Sequence, residues 1–201
     1  MTVPYPIRIG AAALAAGALL AGCSGTGGNS GSTSAPASSP QASAPAGDVP
    51  RVPSPLPVDK LTSTPCSALS EGQLSQIGIA QPTPGQGAGG PQCVWTSTAS
   101  DLNHLTISPV TANKNGLSDF YATKARNVYF EPTRINGYPA VFADTDDGRA
   151  MGSCGLWVGV TDQLVVDVIT QIPSGANKAK SCDFAQRAAT LMIDNLKGGA
   201  R

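Results

Sequence analysis

Hydrophobic residues follow three different patterns along the 201-residue chain. The first is a continuous apolar run over residues 9–20, which follows the positive charge of Arg8. The second pattern covers residues 24–57, which consist mostly of Gly, Ser, Ala, Thr and Pro. From about Leu61 onwards, short apolar segments alternate with polar turns. These patterns predict an export signal, a linker and a folded domain.

The apolar run ends in the sequence Leu20-Ala21-Gly22-Cys23. A charged start, an apolar stretch and small residues before the cleavage position are the three parts of an export signal. A transmembrane anchor is the weaker interpretation, because the run is shorter than the roughly 20 residues of a membrane-spanning helix. An ordinary secretory signal is a second alternative. The leucine three positions before a cysteine favours a lipobox, so we predict removal of residues 1–22 and acylation of Cys23. The lipid would hold the protein on the extracytoplasmic face of the cell membrane.

Residues 23–60 are the predicted tether. Such a composition has little apolar surface to bury, so it does not offset the entropy that ordering would cost. We therefore expect a disordered linker between the lipid and the domain. Residues 61–201 remain as a single globular domain, which is long enough to bury a core of its own.

Besides Cys23, the chain has Cys66, Cys93, Cys154 and Cys182. An even number of cysteines in an exported domain indicates two disulfides. Zinc is the competing interpretation, but there is no CxxC motif, and His104 is the one histidine in the sequence. Four cysteines allow three connectivities. We favour the near neighbours Cys66–Cys93 and Cys154–Cys182, with each bond contributing about 3–4 kcal/mol in the chain-entropy treatment.

The domain contains segments with helical and with strand periodicity. The predicted helices are Glu71–Ile77, opened by a Ser70–Gln73 capping box, and two segments over about 117–125 and 183–196. The predicted strands are 93–96, 102–108, a pair around the Asn136-Gly137 turn, and the hairpin 154–160 with 164–170. The Gly- and Pro-rich stretch 81–92 is predicted to be a loop. Hairpins imply an antiparallel sheet, so we predict an α+β fold with about five to six strands, three helices and two disulfides.

Charge and motifs exclude several classes of function. The 13 basic and 13 acidic residues balance to a formal net charge of +0, with no basic stripe for nucleic acid. No Walker loop is present, nor a GxGxxG motif after a strand, so no cofactor is predicted. A nucleophilic triad would have to use His104, which we expect to be a solvated histidine on the polar face of its strand. Ser153 lacks a full GxSxG motif. A carboxylate pair stays open, with Glu71 and Glu131 as the two glutamates of the chain.

Two further groups of residues suggest ligand binding. Asp144, Asp146 and Asp147 resemble the start of a calcium loop, but the spacing to Gly148 does not fit an EF-hand, so a charged turn is favoured and no metal is predicted. Trp95 and Trp157 could line a ligand pocket. In a small domain with few aromatic residues a position in the core is more common, so the core is the favoured interpretation for both.

A set of cysteines, turns and apolar positions resembles a known family. These residues are Pro65-Cys66, Leu69, Leu74, Gly78, Cys93-x-Trp95, Asn136-Gly137-x-Pro139-Ala140, Cys154 and Cys182. They resemble an actinobacterial envelope lipoprotein family known as domain of unknown function 3558, over about Thr64 to Leu196. The resemblance implies an anchored envelope protein and assigns no catalytic residue. Related envelope lipoproteins resemble a PsbP/Mog1-like sheet with helices, which by loose analogy fits the order of elements.

These observations support one main hypothesis and two alternatives. We expect a non-enzymatic binding or accessory module, attached to the membrane through its N-terminal lipid and recognising an envelope protein or an amphiphilic ligand. One alternative is an envelope hydrolase acting on esters or glycans. The other is a structural spacer.

Overall fold

Seven antiparallel strands form one sheet within residues 49–198, the part of the chain that this computed structural model describes. The strands are β1 (Ile79–Gly87), β2 (Gly90–Ser97), β3 (Ser100–Pro109), β4 (Tyr129–Ile135), β5 (Tyr138–Asp144), β6 (Ser153–Gly159) and β7 (Val165–Gln171). The α-helices are α1 (Asp59–Ser63), α2 (Glu71–Ile77), α3 (Leu117–Tyr121) and α4 (Ser181–Gly198). Short 3₁₀ segments cover 65–68, 124–126, 149–151 and 178–180.

The strand order is β1-β2-β3-β7-β6-β5-β4. Two meanders, β1–β3 and β4–β7, are therefore joined where β3 pairs with β7, for example at Leu105 and Thr170. Hairpin chemistry explains the second meander. Asn136 and Gly137 have φ values of 48° and 87°, as a type I′ turn requires. The α+β class and the antiparallel sheet are thus confirmed.

The two faces of the sheet are covered by different elements. Helix α4 lies against β6 and β7, and with α1 and α2 it buries the larger core. That core includes Leu61, Trp95, Leu105, Ile107, Leu156, Val158, Val168, Met192 and Ile193. A smaller cluster lies on the opposite face under α3 and contains Val110, Leu117, Phe120, Val141, Ala143 and Val165. We call these the α4 face and the α3 face.

Helix α2 ends where the sequence predicts. The Ser70 hydroxyl accepts a hydrogen bond from the Gln73 amide at 3.4 Å, and the Gln73 side chain accepts one from the Ser70 amide at 2.9 Å. Gly78 closes the helix with φ 66°, a left-handed conformation that glycine adopts without strain. The Gln73 side chain also donates to the Leu191 carbonyl at 2.8 Å, which attaches α2 to α4.

Both disulfides lie on the α4 side of the sheet. Cys66 is bonded to Cys93, and Cys154 is bonded to Cys182, so the pairing of near neighbours is confirmed. The first bond ties the 3₁₀ segment 65–68 to β2, and the second ties the start of α4 to β6.

The number of elements differs from the prediction. The sheet has seven strands rather than five or six, because part of the expected loop 81–92 is strand β1. Pro82 and Pro84 are tolerated there because β1 is an edge strand, whose outer side needs no amide donors. Four α-helices replace the expected three, since α1 was not predicted, and the predicted helix 117–125 is shorter, ending at Tyr121.

The domain also begins earlier than residue 61. Leu56 is buried in the larger core, and its amide donates to the Val160 carbonyl at 3.0 Å. The Tyr138 hydroxyl donates to the Ser54 carbonyl at 3.0 Å. The last part of the predicted tether is therefore packed on the domain, because its few apolar residues find complementary sites that composition does not reveal. Residues 1–48, which include the predicted lipobox, lie outside the described residues.

Candidate ligand cleft

Strand β7 places a carboxylic acid inside the protein. Its sequence Val165-Val166-Asp167-Val168-Ile169 is apolar at every position except one. Alternation along the strand directs Val166 and Val168 to the α4 face and Asp167 to the α3 face. Asp167 lies between its cross-strand partners Ser108 on β3 and Trp157 on β6. It is 8% exposed, so a charged residue type occupies a buried site.

A cleft of about 410 Å³ opens above Asp167 on the α3 face. Helix α3 and the segment after it form one wall, and strands β5, β6 and β7 form the floor. The lining includes the apolar residues Val110, Phe120, Ala143, Trp157 and Ile169, and the polar residues Asn113, Asp119, Thr123, Arg126, Asn127, Asp144, Thr145 and Asp167. Polar residues outnumber apolar ones in this lining, but apolar atoms contribute most of its accessible surface, which is typical of a small-molecule site.

One buried oxygen of the Asp167 carboxyl group, Oδ1, is left without a hydrogen-bond partner by residues 49–198. Burial and the nearby Asp144 carboxylate raise the pKa of Asp167 to about 8. The group is therefore largely protonated and neutral at pH 7, because ionisation would place an unpaired charge in a poorly solvated site.

The other acids of the cleft are better satisfied. The Asp119 carboxylate accepts hydrogen bonds from the Asn115 side chain at 2.8 Å and from the Lys114 and Asn115 amides at 2.9 and 3.0 Å. The Asn115 side-chain bond in particular holds the pKa of Asp119 below its ordinary value. Asp144 accepts from the Asp146 amide at 3.4 Å. Asp167 thus differs from the neighbouring carboxylates in lacking a donor at a buried oxygen.

An aromatic stack forms the apolar side of the cleft. The rings of Phe120 and Trp157 are stacked with centroids 4.2 Å apart, and Phe130 stacks on Phe120 at 5.7 Å. The indole Nε1 of Trp157 donates to the Ala143 carbonyl at 3.3 Å, which fixes the orientation of the ring. Stacking on Phe120 of α3 and this hydrogen bond together hold the Trp157 ring in place as a wall of the cleft.

The structure separates the two tryptophans, for which the sequence favoured the core and left a ligand pocket possible. Trp157 lines the cleft and is only partly buried. Trp95 is 0% exposed in the larger core on the α4 face, and its Nε1 has no hydrogen-bond partner among the described residues. The favoured core position is thus confirmed for Trp95, and the possible pocket position holds for Trp157, because the two residues lie on opposite faces of the sheet.

Histidine and serine are not brought together for catalysis. His104 on β3 and Ser153 on β6 are both paired with Gln171 of β7, so that a whole strand separates them. The imidazole Nδ1 of His104 lies 3.4 Å from the Thr96 hydroxyl. His104 is half-buried rather than fully solvated, since the neighbouring strand covers part of the ring.

The acidic turn and Glu131 form surface ion pairs with Arg149. Arg149 contacts Asp147 at 2.7 Å and Glu131 at 2.9 Å, and its guanidinium lies 4.1 Å from the centroid of the Tyr129 ring. Glu71 is exposed in the first turn of α2. Within residues 49–198, no group of three or more His, Cys, Asp or Glu side chains is arranged to hold a metal ion.

Asp167 was missed by the sequence reasoning, although a signal was present. In the predicted strand 164–170, Leu164, Val166 and Val168 alternate and define one buried face. Val165 and Ile169 show that the other face is apolar as well, and a strand buried on both faces reads as a continuous apolar run. A lone aspartate in such a run must be buried, and buried acids with a perturbed pKa are common at functional sites.

Comparison with known proteins assigns the chain to a family. A family profile described as protein of unknown function (DUF3558) matches residues 18–195. The chain belongs to this family. The matched region of this DUF3558 protein includes both disulfides and all of the residues that line the cleft.

The match to the DUF3558 family is the one positive result of the three comparisons. No curated protein and no solved structure matches the chain. The analogy to PsbP/Mog1-like proteins therefore stays a prediction. No helix between residues 49 and 198 is both long and apolar enough to cross a membrane.

Proposed function

We propose that the protein is a lipid-anchored binding module on the extracytoplasmic face of the membrane, which holds an amphiphilic ligand in the Asp167 cleft. One observation carries the proposal: a buried carboxyl oxygen to which no residue of the described chain donates belongs to a residue that lines a cleft with an aromatic wall. A buried polar group without a hydrogen bond costs about 1–3 kcal/mol. A ligand that donates a hydrogen bond to Asp167 would remove this cost.

The apolar wall defines the second half of the ligand. Trp157 and Ile169 present partly exposed apolar surface to the cleft, although both belong to strands that are mostly buried. A ligand with an apolar body gains about 25 cal/mol for each Å² of such surface that it covers. A polar group at one end and an apolar body at the other make the ligand amphiphilic, and membrane envelopes supply such molecules in quantity.

The cleft itself is tested with a neutral fluorescent probe. 1-N-phenylnaphthylamine is expected to bind the full-length protein with increased emission, and Ile169→Phe should weaken binding at least about tenfold by filling the cleft floor. Val94→Phe is the matched control, because Val94 is also half-buried, on β2 outside the cleft lining. Absence of probe binding, or equal binding by both variants, would contradict a ligand cleft.

The membrane anchor is tested separately. Radiolabelled palmitate should be incorporated into the exported wild-type protein and not into Cys23→Ala. If its signal is cleaved, the variant should leave the membrane fraction; otherwise it should accumulate with the signal uncleaved. Label on the variant, or none on the wild type, would contradict lipidation at Cys23.

A hydrolase is the second candidate, and one observation favours it. Asp167 and Asp144 line the same cleft, and the charge of Asp144 contributes to keeping Asp167 protonated. Two carboxyl groups with different proton affinities are the usual acid and base of glycoside hydrolysis. If the protein is a hydrolase, it should turn over envelope glycans or esters. Asp167→Asn and Asp144→Asn should each abolish this turnover and leave probe binding intact. Binding without turnover by the wild type favours the binding module.

A further inference from the structure

We infer that the ligand of the Asp167 cleft carries an organic cation, an alkylammonium group whose N–H donors pair with the Asp167 carboxylate while its apolar body covers the Trp157–Phe120 stack. The inference rests on the proposed function and specifies the chemical class of the ligand. It depends on which charged groups of the cleft already have partners, on the burial of Asp167 and on the proton that Asp167 releases when a cation binds.

Charge in the cleft favours a cation. Three carboxyl groups line it, those of Asp119, Asp144 and the mostly protonated Asp167, against one guanidinium, that of Arg126. Asp119 already accepts three hydrogen bonds, so its capacity for a ligand is small. The oxygen without a partner in the described residues belongs to Asp167, which is 8% exposed and the most buried of the three acids. A cation that reaches the floor would therefore meet an acceptor with no competing donor.

The groups that face Asp167 from each neighbouring element leave this acceptor open. From β3, Ser108 uses its hydroxyl to donate to the Gln92 side chain at 3.4 Å. From β6, Trp157 donates its indole N–H to Ala143. From β5, Asp144 adds negative charge. Helix α3 contributes the satisfied Asp119.

The segment after α3 contributes the charged residue Arg126 and the amide of Asn127. Arg126 is exposed, in the segment that forms the wall, and no ion pair involves it within the described part of the chain. Asn127 donates its side-chain amide to the Thr123 carbonyl at 3.2 Å. No cation of the described chain is thus bonded to the buried oxygen of Asp167, and an ammonium group would supply the missing partner.

Binding is coupled to release of a proton. In the empty cleft at pH 7, Asp167 is mostly the neutral acid. An incoming ammonium ion favours the charged form, so the carboxyl O–H bond breaks, its proton passes to water, and the carboxylate pairs with the cation. The ammonium group keeps its own protons, and the complex loses one proton overall. A neutral hydrogen-bonding ligand would release none.

Three matched probes test the class of ligand: 2-phenylethylamine, 2-phenylethanol and 3-phenylpropanoate, which are cationic, neutral and anionic with similar apolar bodies. Calorimetry uses the full chain in lipid nanodiscs, with empty nanodiscs as the blank. We expect the amine to bind at least about tenfold more tightly than the alcohol, because hydrogen bonds to charged groups are stronger. Titrations in buffers of different ionisation enthalpy should show close to one proton released at about pH 7, and a smaller number at about pH 9.

Asp167→Asn should abolish both the preference for the amine and the proton release. Asp146→Asn is the charge-matched control, since Asp146 is exposed in the neighbouring turn outside the cleft, and it should behave as the wild type. Equal affinity for amine and alcohol, or binding of the amine without proton release, would overturn the inference while the proposed binding module stands. If none of the three probes binds and 1-N-phenylnaphthylamine does not bind either, the cleft itself is refuted.

Discussion

The two faces of the sheet differ in how completely they are covered. On the α4 face, the 18-residue helix α4 lies over the central strands, and both disulfides join covering segments to the sheet. On the α3 face, a helix of five residues covers only part of the surface. The larger core is consequently more completely covered and borders a smaller cavity of about 190 Å³ beside Ile77 and Leu105, whereas the smaller cluster borders the cleft of about 410 Å³.

This difference suggests a division of labour. The larger core includes fully buried side chains such as Leu156 and Met192, and such a core supplies most of the hydrophobic stabilisation. That stability allows the other face to keep a feature that is unfavourable by itself, the buried acid Asp167. Residues that reduce stability in the free protein are expected where a ligand is later to bind. Four variants test this comparison, in order of decreasing effect.

Removal of the disulfide between β6 and α4 should cause the largest loss. We expect Cys154→Ala with Cys182→Ala to lower the free energy of unfolding by about 3–4 kcal/mol, because the bond closes a loop with a sequence separation of 28. Urea denaturation gives the value. The Cys66→Ala, Cys93→Ala pair, with a separation of 27, is the matched variant and should lose a similar amount. A loss below 1 kcal/mol would mean that helix α4 is held by packing alone.

Truncation of the aromatic wall should be the largest single-site effect on the α3 face. Phe120→Ala is expected to cost about 2–3 kcal/mol, because the 7% exposed ring packs against Trp157 and Phe130. The tryptophan emission should shift to longer wavelength as water reaches the indole ring. Leu102→Ala, at a position 65% exposed, should change stability by less than about 0.5 kcal/mol. Equal effects of the two substitutions would refute a packed cluster under α3.

Asp167→Asn should have the opposite sign. The folded-state pKa of about 8 lies above the unfolded value near 3.8, so the unfolded chain releases a proton in this interval while the folded protein keeps it. Stability should therefore fall as pH rises from about 4 to 8, and the asparagine variant should be more stable by roughly 1–3 kcal/mol at pH 8.

Thermal unfolding between about pH 5 and pH 8 tests this sign. The wild-type melting temperature should decline across the interval, and the slope should be reduced in Asp167→Asn. Asp146→Asn, at an exposed position, should keep the wild-type slope. A parallel pH dependence of wild type and Asp167→Asn would show that the acid is ionised in the folded protein.

Loss of a helix cap should be the smallest effect. Ser70→Ala removes the hydroxyl that accepts from the Gln73 amide at the start of α2, and it should cost about 1 kcal/mol. Ser75→Ala in the same helix is the control, and we expect less than about 0.5 kcal/mol, because Ser75 is exposed and bonds only to the Glu71 carbonyl. Equal losses would mean that the capping box does not stabilise α2.

Much of the fold could be predicted because it depends on neighbours in sequence. The capping box at Ser70, the Asn136-Gly137 turn and the alternation on β6 and β7 each involve residues within one turn or one hairpin. Strand β1 could not be predicted, since a Gly- and Pro-rich segment becomes a strand only where β2 offers it an edge. The pairing of β3 with β7 joins residues far apart in sequence and has no local signal.

The candidate site depended even more on the tertiary structure. The sequence suggested Trp95 and Trp157 equally, and the strand on which each lies then placed one in a dry core and the other in a cleft. The sequence does show Asp167 as a lone acid in an apolar strand. Whether its oxygen finds a hydrogen-bond donor depends on the residues that β3, β5 and β6 place beside it.

The sequence by itself determined most of the local elements and the α+β class, because turns, caps and periodicity act over short separations, and it favoured the cysteine pairing without fixing it. The tertiary structure alone decided the order of the strands, the unequal covering of the two faces and the environment of Asp167. The physical reason is that burial and the pKa of an acid depend on the surrounding atoms, and these come from segments that are distant along the chain.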